Sequence, residues 1–495
     1  MANGGRDHAA IPIPAANHIQ ATTSLDRRIE ETKWLLHPSS GNSSCCIFRV
    51  PQHLSEINKK ACQPHIVSIG PCHYGDTRLE MMQQHKWRFL RDLLARTPSN
   101  GPRLDHYRQV VESMEESIRG CYSETIDLSS HDLVEIMVLD GLFTVELFCK
   151  VGRKSPSDPD DLARLSPSDP DDPIFNLAWV FPNLICDLLR LENQIPFFVL
   201  QKLFDESKAS REDSESSLAK LALEFFNHAV ERTDISTTEE KHLLDLLRLS
   251  FIPKPYDQSP QGQARNIRPL IQLIRSAKKP LQGTRKAVKK FVAGIKSKTR
   301  KGNTSSSIEF IQSAEKLYLA GIKFKTRDAM SFLDIRFLKG VLEIPRIVLD
   351  DLRTDLLMNF VAFEQCYFHC SKHVITYAAF MSCLIRTPAD VSFLCDKKII
   401  ENYLGTDEEA ADFFKNLGKD VPFDIDDSYL CELFKDVNEY HRNIWHVRWA
   451  GLRFKYFSTP WSFLSAVAAV VLLLLTAIQV FLAWYAYVRP PKSGG

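Results

Sequence analysis

From Phe463 to Val488 the chain runs for 26 residues without a charge, and seven residues follow. As a helix such a run extends about 39 Å against a hydrocarbon core of roughly 30 Å, so it can cross a bilayer with some tilt. The pattern predicts a transmembrane helix over 461–488 and a short tail over 489–495. The lipid bilayer is therefore the first expected partner. A span this near the C-terminus is expected to insert after synthesis, as in a tail-anchored protein.

The flanks give an orientation. Arg442, Arg448, Arg453 and Lys455 precede the run, and Arg489 and Lys492 follow it. Positive charge favours the cytoplasmic side, which places the large domain there, with the plasma membrane as the expected location. Trp445, Trp449 and Trp461 before the run and Trp484, Tyr485 and Tyr487 near its end sit where interfacial anchors belong. The start, MANGGRDHAAIPIPAANHIQ, lacks the basic n-region and apolar core of a secretory signal. Asn42-Ser-Ser and Asn303-Thr-Ser are glycan acceptors that would stay silent in the cytosol.

The residues ahead of the run have ordinary globular composition, 44% hydrophobic and 25% charged, which is enough for a large core. A net charge of +1 gives no overall argument for nucleic acid, and none is expected as a partner. Twelve cysteines without regular spacing read as reduced thiols packed as small hydrophobes.

The expected fold is mainly α: a large multi-helix globular domain over 43–457 with a minor β-hairpin, after a mobile arm over 1–42. Helical patterning covers Leu104–Lys150, Leu184–Phe204 and Glu239–Leu249, and the apolar stretch Leu133–Phe148, interrupted by Glu135, Asp140 and Glu146, is the expected central helix. Ser307 is read as the cap of a helix ending near Leu319. Alternation at Leu333, Ile335 and Phe337, a turn at Lys339-Gly340, and alternation at Leu342 and Ile344 predict the hairpin. Thr387-Pro388 with Asp390, and Thr406 with Glu409, open two more helices.

Two segments interrupt the domain. The repeat SPSDPDD at 155–161 and 166–172 carries six aspartates and prolines that forbid a helix, so 155–173 reads as an acidic, solvated loop. Between Gln258 and Ile308 there are thirteen Lys or Arg and no acid. Within it Val288, Phe291, Val292 and Ile295 share a helical face, with Arg285, Lys286, Lys289, Lys290, Lys296 and Lys298 around the rest. Those six are the candidates for contact with anionic membrane surface, competing with a plain solvated loop.

Cys366, His369, Cys370 and His373 recur on what reads as one helix face and are zinc-ligand types. Four ligands on one straight helix span about 10 Å and cannot converge on one ion, so a site would need others, such as Cys72 and His73. A helix face using Cys as core filler is the expected reading, and no cofactor is expected. Glu192-Asn193-Gln194 and Glu364-Gln365 interrupt apolar helices; such groups can be acids or bases but more often cap helices or bind backbone. No Gly-rich phosphate loop, GxSxG elbow or HExxH appears, so no catalytic residue is nominated.

Taken together, Ile47–Pro51, PHIVSIGP at 64–71, His85-Lys-Trp87, Val138-Leu-Asp-Gly141, Glu146-Leu-Phe148, LLRLENQIPFF at 188–198, His242–Leu246, Gly321–Phe324, Gly340–Pro345, NFVAFEQC at 359–366 and the span after Pro460-Trp461 resemble the plant domain of unknown function 247 family. The resemblance implies a land-plant protein with a single C-terminal span, no established catalytic activity, and, for some grass members, an association with self-incompatibility. The chain departs from the family pattern at Cys72 and Tyr74, and the aspartate-proline repeat looks like an insertion. The expected role is an interaction or signalling component with an unknown protein partner; the alternative is a membrane-tethered enzyme with an unrecognised site.

Overall fold

The computed structural model describes residues 41–99, 101–152, 172–210, 217–227, 240–253, 310–419, 424–442 and 460–488. The N-terminal arm to residue 40, the acidic repeat up to Asp171 and the whole basic stretch from 258 to 308 lie outside the described residues. The first half holds α1 (Gln52–Ser55), α2 (Glu80–Arg96), α3 (Leu104–Glu112), α4 (Glu115–Arg119), α5 (Ser130–Gly152), α6 (Pro173–Asn176), α7 (Val180–Leu188), α8 (Phe197–Glu206), α9 (Leu218–Asn227) and α10 (Leu243–Phe251). The second half holds α11 (Ala314–Leu319), strands β1 (Lys323–Arg327), β2 (Arg336–Leu338), β3 (Val341–Pro345) and β4 (Ile347–Leu349), then α12 (Asp351–Cys366), α13 (His373–Leu384), α14 (Pro388–Asp396), β5 (Ile400–Asn402), α15 (Asp407–Leu417), α16 (Cys431–Arg442) and α17 (Pro460–Val488). The fold is mainly helical, as expected.

α5 is the central helix. Leu133, Met137, Leu142, Phe143, Val145, Leu147 and Phe148 are buried on all sides of it, against α2, α3, α8 and α9. Burial all round explains why its pattern shows apolar residues on every face. Its two interior acids are matched: Asp140 pairs with Lys86, and Glu146 with Arg96. Phe148, Phe225, Phe226 and Phe181 interlock edge to face beside it, with centroids 5.1–5.9 Å apart.

The hairpin forms as predicted and gains a strand. Phe337 pairs with Leu342 across β2 and β3, and Lys339 (φ 50°) and Gly340 (φ 77°) make the two-residue left-handed turn that suits an antiparallel pair. A Cβ on Gly340 would meet the Tyr440 ring at 2.6 Å, a second reason for glycine there. β1 adds to β3 in parallel, with only Phe324 of its residues buried, so its sequence shows no alternation to read. β4 and β5 form a separate parallel pair, Ile347 opposite Ile400.

Several helical readings need correction. The stretch 104–150 breaks after Arg119, where Ile47 and Tyr122 form a β-bridge, and 184–204 breaks at Leu189–Pro196. The helix expected from Ser307 starts at Ala314, with Ser313 at its N-cap; Ser307 itself is outside the described residues. Asp172, last of the repeat's aspartates, is not solvated: it is buried, caps α6 through Ile174 N, and pairs with Arg88 (2.6 Å) and Lys150 (3.2 Å).

α13 and α17 are both almost wholly apolar, with opposite surroundings. α13 is buried in the domain, whereas α17 exposes its described side chains throughout and contains Val467–Trp484, a stretch long and apolar enough to cross a membrane. Trp484 is among those exposed residues; the helix also carries Trp461, Tyr485 and Tyr487.

Both predicted capping boxes are present, at Thr387/Asp390 and Thr406/Glu409. They are not equivalent. Asp390 is buried and accepts hydrogen bonds from Arg386 N, Thr387 N, Thr387 Oγ1 and, from α11, Glu315 N, so one carboxylate caps two helices. Asp390→Ala is expected to lower stability by about 3 kcal/mol and Thr406→Ala by about 1 kcal/mol. Chemical denaturation of the two variants checks the order; equal losses would contradict it.

Candidate functional site

The chain turn between α7 and α8 holds a cluster of buried polar side chains, Asp187, Arg190, Asn193 and Gln194. Its side chains face inward, because the chain opposite them, residues 64–71, has no regular structure and must find backbone partners elsewhere. Asp187, at the end of α7, accepts from His65 N (2.8 Å), Ile66 N (2.7 Å) and Val67 N (3.0 Å), and from Arg190 Nε (3.1 Å). Asn193 accepts from Ile69 N (2.7 Å) and donates to Val67 O (3.0 Å) and Asp187 O (2.9 Å). Gln194 donates to Leu188 O and Arg190 O and accepts from Leu244 N.

Neighbouring groups extend the cluster. Asp140 on α5 accepts from Gly70 N (2.9 Å) and Lys86 Nζ (2.5 Å), and Lys86 also donates to Ser68 O. Burial pushes the Asp140 carboxyl up, and the Lys86 ammonium opposes that. Gly70 has φ 76°, and a Cβ there would sit 2.7 Å from Gln194 O, so no other residue fits. Asn359 of α12 accepts from Leu191 N and donates to Ala61 O. On the far side Arg248 joins Asp245 (2.8 Å) to Glu364 (3.0 Å), while Glu364 also accepts from Val374 N and Ile375 N at the start of α13.

This arrangement decides what the polar triplets do. Glu192 pairs with Arg49 (2.7 Å) and accepts from Val50 N; Asn193 and Glu364 bind backbone as described; His373 stacks on Tyr429 with centroids 4.8 Å apart. They do not gather around shared space. Glu192, Asn193 and Glu364 are committed to holding chain, as helix-capping and backbone-binding groups are, whereas His373 packs on a ring. Of the residues responsible, Arg190 and Asn359 lie in the quoted motifs and Asp187 and Arg248 only in stretches read as helical; the sequence singles out none of the four. Their signal was a lone polar residue in an apolar segment.

The helix face drawn through Cys366, His369, Cys370 and His373 does not exist. α12 ends at Cys366 and α13 begins at His373, with Tyr367–Lys372 as a loop between them. Lys372 ends α12 by donating to the carbonyls of Glu364 and Tyr367. Cys370 Sγ lies 3.1 Å from Tyr367 O, His369 packs edge-on to Tyr367 and Phe368, and burial pushes the thiols of Cys366 and Cys370 up to about 11. Among the described residues no group of three or more His, Cys, Asp or Glu is placed to hold a metal ion. The membrane-surface candidates Arg285, Lys286, Lys289, Lys290, Lys296 and Lys298 are outside the described residues.

Two surface clefts adjoin the cluster. One, about 220 Å³, lies beside Arg49, Cys72 and Tyr122. The other, about 330 Å³, opens between α2 and α5 and is closed by the loop after Ser68.

These features define a class: a mainly helical domain stitched by buried backbone-binding side chains, with a helix long and apolar enough to cross a membrane. The chain belongs to the DUF247 family, described as "Plant protein of unknown function", whose family model matches residues 47–475. It is similar to UPF0481 protein At3g47200 of Arabidopsis thaliana, 37% identical over 473 residues that cover 93% of this chain and 90% of that one. A second Arabidopsis UPF0481 protein, At3g02645, is 24% identical over 530 residues, covering 93% and 96%. No solved structure matches.

His242 supplies a pH test of the cluster. It is fully buried, its Nδ1 accepts from Asp245 N and its Nε2 donates to Cys46 O, an arrangement only the neutral ring satisfies. Burial lowers its pKa to about 4. Between the unfolded value near 6.5 and that lowered value the unfolded chain binds more protons, so stability is full above about pH 6.5 and falls as pH drops toward 4, by about 3 kcal/mol in all. His373, also lowered to about 4 by burial, adds to the same window. Melting temperature measured from pH 7.5 down to 4.5 should fall less steeply in His242→Gln than in the parent chain; parallel profiles would contradict the assignment.

Proposed function

We propose that this protein is a single-pass, tail-anchored membrane component whose large cytoplasmic domain acts by binding partners, in interaction or signalling. The observation that carries the membrane part is α17, whose described side chains are uncharged, mostly apolar and exposed along its length. Exposed to water, that surface would be strongly unfavourable; in a bilayer it is matched. The excess of basic residues before the helix supports a cytoplasmic domain. The thirteen Lys and Arg between 258 and 308 would add attraction to anionic lipid, which favours the plasma membrane's inner leaflet.

An interaction role rests on the state of the interior carboxylates. Asp140, Asp187 and Glu364 each hold backbone N–H groups and a cation, so their oxygens are occupied by structure. A recognition role of the kind that the family resemblance implies for some grass members would use this same layout of stable domain and anchor.

Fractionation tests the anchor and its orientation together. The full chain should stay in the membrane pellet after carbonate extraction, a chain ending at Thr459 should be released, and Asn42 and Asn303 should carry no glycan. Carbonate release of the full chain, or glycosidase-sensitive mass at either asparagine, would overturn the reading.

A further inference from the structure

The cleft of about 330 Å³ between α2 and α5 has a chemistry that the stitching cluster does not use up. Its α2 wall presents Glu80, Gln83 and Trp87, which share a helix face, and its α5 wall presents Glu135, Ile136 and Leu139. Tyr74 and Trp87 are half exposed there, at 53% and 47%. Two large aromatics thus stand open beside carboxylates, a pairing that can take a cation between ring face and charge.

The cleft's charges can be accounted for. Asp140 is neutralised by Lys86, and Asp76 by Arg78 at 2.6 Å. Among the described residues Glu135 has only His131 near it, at 3.9 Å, and no cation closes on Glu80. Among the described residues no lysine or arginine lines the cavity, and within that set its rim carries two uncompensated negative charges.

The wall supplies a second, independent sign. Ser68 is 2% exposed, and its hydroxyl has no hydrogen-bond partner, although its own carbonyl is taken by Lys86. A buried hydroxyl left unpaired is costly by about 1–3 kcal/mol and is normally satisfied. His73, also in the wall, has a buried Nε2 without a hydrogen bond, and burial lowers its pKa, so it adds no opposing charge near neutrality.

We propose that this cleft binds a primary ammonium or guanidinium group, with Glu80 and Glu135 supplying charge, Trp87 and Tyr74 ring faces, and the Ser68 hydroxyl an acceptor in its wall. An alkyl cation fits all three features at once: N–H donors for the hydroxyl, charge for the carboxylates, and a cation and methylenes for the rings. A neutral ligand leaves the two carboxylates without a countercharge, and an anionic one is repelled by them. The cation can come from a free polyamine or from a basic side chain of a protein partner. The assignment uses described residues alone and does not depend on the membrane reading.

Calorimetric titration of the full chain in detergent micelles tests it, with spermidine as one probe and acetylated, amidated tri-arginine as the other. At least one should bind saturably at one site, and Glu80→Gln with Glu135→Gln should weaken that binding about tenfold or more with an unchanged melting curve, since both residues are exposed. Ser68→Ala should weaken it without altering the dependence on salt, which separates a shaped site from diffuse charge attraction. Tighter spermidine binding assigns a free amine, and tighter peptide binding assigns a partner's side chain. Absence of saturable binding by both probes, or affinity unchanged in the double variant, would overturn the proposal.

Discussion

One buried carboxylate, Asp187, accepts three consecutive backbone N–H groups from residues 65–67, and the rest of the N-terminal half is arranged around that contact. The segment it holds runs through the core without helix or strand. Each buried N–H left unpaired would cost about 1–3 kcal/mol, so an extended segment inside a helical domain needs a dedicated acceptor. Asp187 is that acceptor, Asn193 continues it at Ile69, and Asp140 finishes it at Gly70. Arg190 and Lys86 balance the buried charge, as a carboxylate removed from water requires.

The consequence reaches the surface. Because residues 65–70 are fixed, Ser68 and the loop beyond it are set against α2 and α5, and that placement shapes the larger cleft. Asn359 applies the same solution between the two halves, tying α12 to the turn after α7, and Glu364 applies it within the second half, tying α12 to the start of α13. Polar residues in apolar surroundings thus act as joints between elements, and the apolar helices between them supply the packing.

What could be read from sequence was what short range decides. The caps at Thr387 and Thr406, the Lys339-Gly340 turn, the buried helix around Leu142 and the apolar terminal helix all depend on residues within a turn or two of one another. The joints escaped because their partners are remote in sequence: Asn193 meets Ile69 from 124 residues away, and Arg248 meets Glu364 from 116. Spacing was misleading at Cys366–His373 for a related reason. Helical periodicity continues on paper through a loop that Lys372 terminates by reaching back to two carbonyls. β1 was missed because one buried Phe324 makes no alternation.

The most direct measurement is native-state hydrogen exchange on the full chain bearing Asp187→Asn, which keeps the shape of the side chain but replaces a charged acceptor with a half-donor amide. If the carboxylate organises this half of the fold, protection at the amides of Ile66, Val67, Ile69 and Gly70 should collapse while α14 and α15 keep theirs. Unchanged protection at those four amides, or a loss spread equally over α14 and α15, would contradict the account.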